Sequence, residues 1–265
     1  MLKSVRYCLL TVFLSVPWLG MAQVSKTQML LDAARHGTLN SDRMTTLLPA
    51  AVEELSGHKL LRREFPELVT ALADENTTVR VTATGMLQLI STRPGTDLSD
   101  FERPLLECLR DANAQVRANC VFALSSIAAT PPMIEAIIAL LHDPAPMVRI
   151  AAISSALRHR PTPSEGILQV AAALSSDEDD QVRSAAAASL AMAGNKSVKV
   201  LDALREGLVD RSPSVAEECV IALGVLDLTS ERTVAAVHAV LNRKDLTPTL
   251  RANVDSFLRR AQRGK

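Results

Sequence analysis

Aromatic side chains are scarce in this chain of 265 residues: phenylalanine, tryptophan and tyrosine together make up 3%. Trp18 and Tyr7, the one tryptophan and the one tyrosine, both lie in the first 22 residues, so beyond that segment only Phe65, Phe101, Phe122 and Phe257 remain. Flat rings build the stacking platforms for sugars and bases, and this chain has none to spare outside a core. Net charge is missing as well. With 29 basic residues against 29 acidic ones, there is no electrostatic reason to expect DNA or RNA as a partner. Chemistry leaves no trace either: there is no glycine-rich phosphate loop, no Gly-x-Ser-x-Gly elbow and no pair of histidines one helical turn apart. Hydrophobic residues at 48% and charged ones at 22% are ordinary values that build a large core and exclude a wholly disordered chain.

The amino terminus has the layout of an export signal. Lys3 and Arg6 precede an apolar run from Tyr7 to Val16, and Pro17 to Ala22 follow. Gly20 and Ala22 place small residues third and first before a cut ahead of Gln23. The 16 residues from Tyr7 to Ala22, interrupted by Pro17, fall short of the roughly 20 that a spanning helix needs. Cys8 sits inside the apolar run, not just after a small residue at its end, so lipid modification is not indicated. The reading is a signal peptide over 1–22 and delivery to a bacterial periplasm or the exterior. Loss of Lys3 and Arg6 leaves 27 basic residues against 29 acidic.

Most of the remainder repeats. An Asp, four variable residues, an aliphatic residue and usually an Arg recur six times: Asp74 to Val79-Arg80, Asp111 to Val116-Arg117, Asp143 to Val148-Arg149, Asp177 to Val182-Arg183, Asp210 to Val215-Ala216, and Asp245 to Leu250-Arg251. The aliphatic positions are 37, 32, 34, 33 and 35 residues apart, a spacing of stacked helical repeats. Four residues beyond the aliphatic stand Ala83, Cys120, Ala152, Ala186, Cys219 and Val254; eight beyond stand Leu87, Leu124, Ala156, Leu190, Leu223 and Leu258. A small residue followed one turn later by a larger one describes a helix pressed close to a neighbour and then filling a core. A second amphipathic run precedes each phrase, as in Ile134, Ile137, Ile138 and Leu141, so each unit is a helix pair. Prolines fall mostly at the joins.

These phrases resemble the short HEAT-like repeats first associated with phycobilin lyases, over roughly residues 63 to 260. The resemblance implies an all-α fold: a right-handed α-solenoid of about six helix pairs over 63–265. The Asp and Arg residues, Asp74, Arg80, Asp111, Arg117, Asp143, Arg149, Asp177, Arg183, Asp210, Asp245 and Arg251, are implied to be structural. An Asp ahead of a helix caps amides, and the Arg pairs with an Asp of its own or the adjacent unit. Ala216 and Leu250 depart from the pattern without threatening the fold. HEAT-like iron hydroxylases use His-Glu pairs. Here His36, His58, His142, His159 and His238 are followed by Gly37, Lys59, Asp143, Arg160 and Ala239, which does not support that activity. The lyases act on pigments inside the cell, which an export signal contradicts.

Residues 23–62 lack the phrase and read as an amino-terminal helical cap, with helices over Ser25 to Arg35 and Ser41 to Leu55. From 243 onward Arg243, Lys244, Arg251, Arg259, Arg260, Arg263 and Lys265 face only Asp245 and Asp255, a basic end suited to a solvated last helix or to peripheral membrane contact. The run Asp177, Glu178, Asp179, Asp180 lacks the glycine of a calcium loop and reads as a solvated turn. Cys120 and Cys219 occupy the small slot of the repeat, and a bridge between Cys108 and Cys120 is sterically conceivable.

What remains is surface. The second and sixth residues beyond each aliphatic flank the core row and line the concave side. Among them Val81, Phe122, Ile150 and Ile221 are the candidate partner-binding residues. The reading is a non-catalytic scaffold or adaptor of the cell envelope, monomeric, with no cofactor and no metal, that binds a protein or peptide. Its alternatives are a lyase-like subunit or small-ligand binder, and a structural element of an envelope complex. Mass spectrometry of the protein recovered outside the cytoplasm is expected to find Gln23 at the amino terminus. A chain that retains Met1 to Ala22 there would instead show the segment kept as an anchor.

Overall fold

A computed structural model of the chain describes residues 25–57, 59–60, 62–63, 65–158 and 164–263. The signal segment 1–22 with its cut before Gln23, and also His58, His159, Pro161, Pro163 and Lys265, lie outside the described residues. Among the described residues there are 14 α-helices. They are α1 (Lys26–Arg35), α2 (Ser41–Leu55), α3 (Pro66–Leu72), α4 (Thr77–Ser91), α5 (Glu102–Cys108), α6 (Ala114–Leu124), α7 (Pro131–Ala139), α8 (Pro146–Ala156), α9 (Ser164–Ser176), α10 (Asp180–Ala193), α11 (Val198–Gly207), α12 (Pro213–Leu226), α13 (Glu231–Ala239) and α14 (Pro248–Arg263). Helices α3 to α14 form six pairs, one per repeat, stacked as an α-solenoid. Helices α1 and α2 form an antiparallel pair at the amino-terminal end, where the hydroxyl and amide of Thr27 both donate to Glu54 near the far end of α2.

The second helices of the pairs, α4, α6, α8, α10, α12 and α14, run side by side from unit to unit. The first helices stand farther apart, α9 and α11 excepted. The tighter row is the inner, concave one. Its spacing follows from side-chain size: Ala83, Cys120, Ala152, Ala186 and Cys219 are fully buried where successive helices meet, and Leu87, Leu124, Leu190 and Leu223 fill the core one turn on. Gly207 on α11 is pressed so close to α12 that a β-carbon there would collide with Cys219 Sγ. The last helix breaks this register. On α14 Phe257 is buried and Leu258 only half-buried.

Five of the inner helices start in one of two ways, and α14 combines both, with Pro248 first and the Thr247 hydroxyl accepting the Leu250 amide. Asn76, Asn113 and Asp179 accept amides of the first turn of α4, α6 and α10, whereas α8 and α12 open with Pro146 and Pro213, which have no amide to satisfy. The repeat's Asp is not itself the cap. Asp74, Asp111, Asp143, Asp177 and Asp210 each accept the amide two residues on, that of Asn76, Asn113, Ala145, Asp179 and Ser212, at 2.7 to 3.0 Å. The Asp therefore folds the turn that presents the cap.

The other side of each carboxylate belongs to the preceding unit. Arg80 pairs with Asp111 at 2.6 Å, Arg117 with Asp143 at 2.7 Å, Arg149 with Asp177 at 2.8 Å and Arg183 with Asp210 at 2.8 Å, each through two guanidinium nitrogens. The third nitrogen, Nη1, turns back to its own unit and donates to the carbonyls of Asp74 and Glu75, Asp111 and Ala112, Asp143 and Pro144, or Asp177 and Glu178. One planar group thus ties two turns together.

Both ends of this ladder are improvised. At the amino-terminal end Arg35 of α1, outside the repeat phrase, reaches Asp74 at 3.0 Å. Near the other end position 216 is alanine, and Arg243 takes over. Its Nε and Nη2 hold Asp245 at 3.0 and 2.6 Å, while Nη2 and Nη1 donate to the carbonyls of Asp210 and Leu208. Arg251 is exposed. A separate network reinforces the same joint: Arg205 donates to Asp202, to Asp227 and to the buried hydroxyl of Thr233, which itself bonds Asp227.

Burial by itself raises the carboxyls of Asp111, Asp143 and Asp210. The guanidinium and the backbone amide outweigh it, and all three settle below the ordinary value of 3.8. A carboxyl whose pKa falls on folding contributes stability that is present above its unfolded pKa and is lost as pH drops through its folded one. Urea unfolding is therefore expected to show stability holding from neutral pH to about pH 4 and falling below that. Arg117→Ala, which leaves a buried Asp143 without its cation, should cost about 3 kcal/mol at neutral pH and flatten the acid limb. Arg243→Ala should destabilise the last unit by less than that, because Asp245 is exposed and solvent screens the pair, and Ala216→Arg in the same chain should restore most of the loss. Additive effects of those two changes would show that Arg243 does not stand in for the missing arginine.

Candidate functional site

The ladder consumes charge at the turns, and the inner face is where side chains are left over. Position on each inner helix decides how much of a side chain is free. Val81, Phe122 and Ile150 are half-buried and packed against the core, as neighbouring units close over them. Ile221 is different, with 47% of its surface exposed.

One turn beyond the sixth position, ten residues past the aliphatic, lies a set of residues that the repeat pattern did not single out. Leu89, Met192 and Val225 stand there, exposed by 46%, 75% and 61%, while Ser126, Arg158 and Arg260 hold the same place in the other units. The signal was available in the sequence: a helix brings residues four apart onto one face, so the row through the sixth position continues through the tenth. Ile221 and Val225 thus form one apolar strip on α12, with Met192 in register on α10.

The polar surroundings of that strip are specific. Glu217 accepts the hydroxyl of Thr247 at 2.7 Å. Glu218, beside it, is half-buried and has no hydrogen-bond or ion-pair partner among the described residues. Burial, and next the Glu217 charge, raise its carboxyl above the ordinary 4.5. Repeat register shows what it faces. On α6 Asn119 holds the equivalent place, bonding Thr84 of α4 and lying 3.6 Å from where a β-carbon on Gly85 would be. The same register sets Glu218 opposite Ala187 and Ala188 of α10, which offer no hydrogen bond.

The other candidate groups are accounted for locally. Asp177 serves the ladder, Asp179 caps α10 and Asp180 accepts the Ser212 hydroxyl, and no cluster of three metal-ligating side chains forms among the described residues. His36, His142 and His238 are exposed and scattered, and Asp143 beside His142 is held by Arg117. Cys108, Cys120 and Cys219 are buried free thiols, so no bridge joins Cys108 to Cys120. Burial, with Cys108 alongside, pushes the Cys120 thiol well up; burial, with Asp210 and Glu218 nearby, does the same for Cys219. Neither is a ready thiolate. At the basic end Arg243 is engaged in the ladder and Arg260 donates to the Gly224 carbonyl, leaving Arg251, Arg259 and Arg263 exposed. No helix among the described residues is long and apolar enough to cross a membrane.

A cavity of about 550 Å³ lies between α3 and α5, lined by Asp74, Arg80, Arg103, Glu107, Cys108 and Asp111 among others. Its charges are paired with protein: Asp74 with Arg35, Arg80 with Asp111, and Arg103 with Glu107.

Comparison with known proteins bears on the architecture. A family model described as HEAT repeats matches residues 167–256. Models for the non-SMC mitotic condensation complex subunit 1 and for the HEAT repeat associated with sister chromatid cohesion match residues 55–134 and 123–156. Among curated proteins none matches this chain in sequence. Among solved structures, the Escherichia coli protein YibA superposes with a TM-score of 0.60 at 20% identity, over 85% of this chain and 78% of that one. Two engineered proteins superpose with TM-scores of 0.52 and 0.50 at 18% and 16% identity, each over 76% of this chain and 99% and 97% of theirs. At such identities the likeness concerns the fold. Together with the six stacked helix pairs and the Asp-Arg turns that join them, it makes this chain a HEAT-like repeat protein.

Proposed function

We propose that this protein is an exported, non-catalytic scaffold that acts as a single chain and binds a protein partner along the inner face of α10, α12 and α14. The observation that carries the reading is the strip of Ile221 and Val225, two large aliphatic side chains exposed by 47% and 61% one turn apart on the concave row. Solvent-facing apolar residues scattered singly need no explanation, but two adjoining ones on a concave surface mark a place for apolar contact. Around the strip Ser184, Ala188 and Ser256 are small, so an opposing backbone or helix can approach closely. The layout of the first 22 residues supports delivery outside the cytoplasm.

Photo-crosslinking residues at Ile221 and Val225, with Lys199 on the outer helix α11 as control, test this in the native cell. A discrete adduct is expected from the two inner sites and none from Lys199. The double change Ile221→Asp and Val225→Asp should abolish capture of the same partner by a crosslinker at Met192 while leaving the helical circular dichroism unchanged. Equal capture from Lys199, or capture unaffected by the double change, would overturn the inner-face reading.

A further inference from the structure

Glu218 gives the partner a chemical character. A carboxylate partly withdrawn from water, with no ion pair or hydrogen bond to compensate, gains from an incoming cation. The other repeat acids are satisfied: Asp74, Asp111, Asp143, Asp177 and Asp210 by guanidinium and amide, Asp245 by Arg243, and Glu217 by Thr247. Glu218 alone in its unit is a half-buried acid without a hydrogen-bond or ion-pair partner, placed by the repeat register toward the alanines of α10. Its neighbours along the helix, one and two turns on, are Ile221 and Val225.

The requirement on an occupant is therefore twofold: a cation that reaches Glu218 in the groove, and apolar side chains beside it that cover the strip. A small inorganic cation meets the first and not the second. A nucleic acid meets neither, since its phosphates would be set against Glu217 and Glu218. We infer that the occupant is a protein segment presenting a lysine or arginine to Glu218 and flanking apolar side chains to Ile221 and Val225; this rests on the scaffold reading above. Arginine suits the site better, because its guanidinium is weakly hydrated and takes a carboxylate with two parallel hydrogen bonds.

Fluorescence anisotropy with labelled 12-residue peptides on the full chain tests this. The probes are a peptide of alternating arginine and leucine, the same peptide with glutamate for arginine, and the same with serine for leucine. The first is expected to bind saturably and the other two at least about tenfold more weakly. Glu218→Gln, close in shape, should keep its melting temperature and weaken the arginine peptide about tenfold, whereas Glu206→Gln on the outer row should leave binding unchanged. Ile221→Ser with Val225→Ser should weaken it independently. Binding of the arginine peptide that ignores Glu218→Gln, equal binding of the glutamate peptide, or no binding of the arginine peptide overturns the inference. If the serine changes weaken binding and Glu218→Gln does not, the inference alone fails and the apolar inner face stands. If neither moves the binding of any peptide, and crosslinking at Ile221 and Val225 also fails, the scaffold reading falls with it.

Discussion

The guanidinium that one unit lends to the next is the constraint on which the array depends. A helix pair of some 30 residues cannot bury its own apolar faces, so stability comes from the interfaces between pairs. Apolar packing sets how close the helices come but is indifferent to small slips along the row. The bidentate Arg–Asp contact is not. By holding the next unit's carboxylate and its own unit's two turn carbonyls at once, Arg117 or Arg149 fixes the rotation of one turn relative to the next. The Asp then fixes the following helix start through the amide two residues on. Registry passes along the chain through six such contacts, counting those made by Arg35 and Arg243.

This arrangement has a consequence for function. Charges that in another protein would form a patch are spent inside the turns, and a chain with as many bases as acids keeps few of either unpaired on its inner row. The inner surface is built of alanine, serine and valine because the helices must lie close. Large or charged residues there are exceptions, and an exception on a surface of small residues defines where a partner gains contact. Binding energy in an interface concentrates in a few such positions while the remainder supplies shape.

Much of the architecture was legible in the sequence, and the reason is periodicity. Six copies of one phrase give six helix pairs, and the small residue four beyond each aliphatic gives the close inner row. Three features were not legible in the same way. Phe122 and Ile150 have the spacing of surface residues, yet the degree to which a neighbouring helix covers them depends on interhelix distance, which no single unit encodes. Arg35 and Arg243 lie outside the phrase, so their ladder role appears only when α1 and the turn before α14 are placed in space. The empty position at Ala216 was itself a clue that another cation must reach Asp245. Val225 was within reach of the pattern, since it follows Ile221 by one helical turn, but a row drawn only to the sixth residue stops short of it.

The break in the ladder and the candidate site fall on the same helix, and the connection is physical. In the first four units the residue after the aliphatic is an arginine that pairs with the Asp of the next unit. In the fifth unit that residue is Ala216, directly followed by Glu217 and Glu218. Arg243 restores the contact to Asp245 from the far side of the joint, through the turn before α14, so registry is kept while the cation is withdrawn from the first turn of α12. The two glutamates are thereby left without a neighbouring guanidinium on their own helix. Glu217 finds Thr247, and Glu218 is left facing alanines. A substitution that is neutral for the fold, because a second arginine covers for it, changes the electrostatics of the one inner helix that also exposes Ile221 and Val225. Repeat arrays gain specific surfaces in this way: the periodic contacts hold the shape, and a unit relieved of its periodic residue is free to present something else.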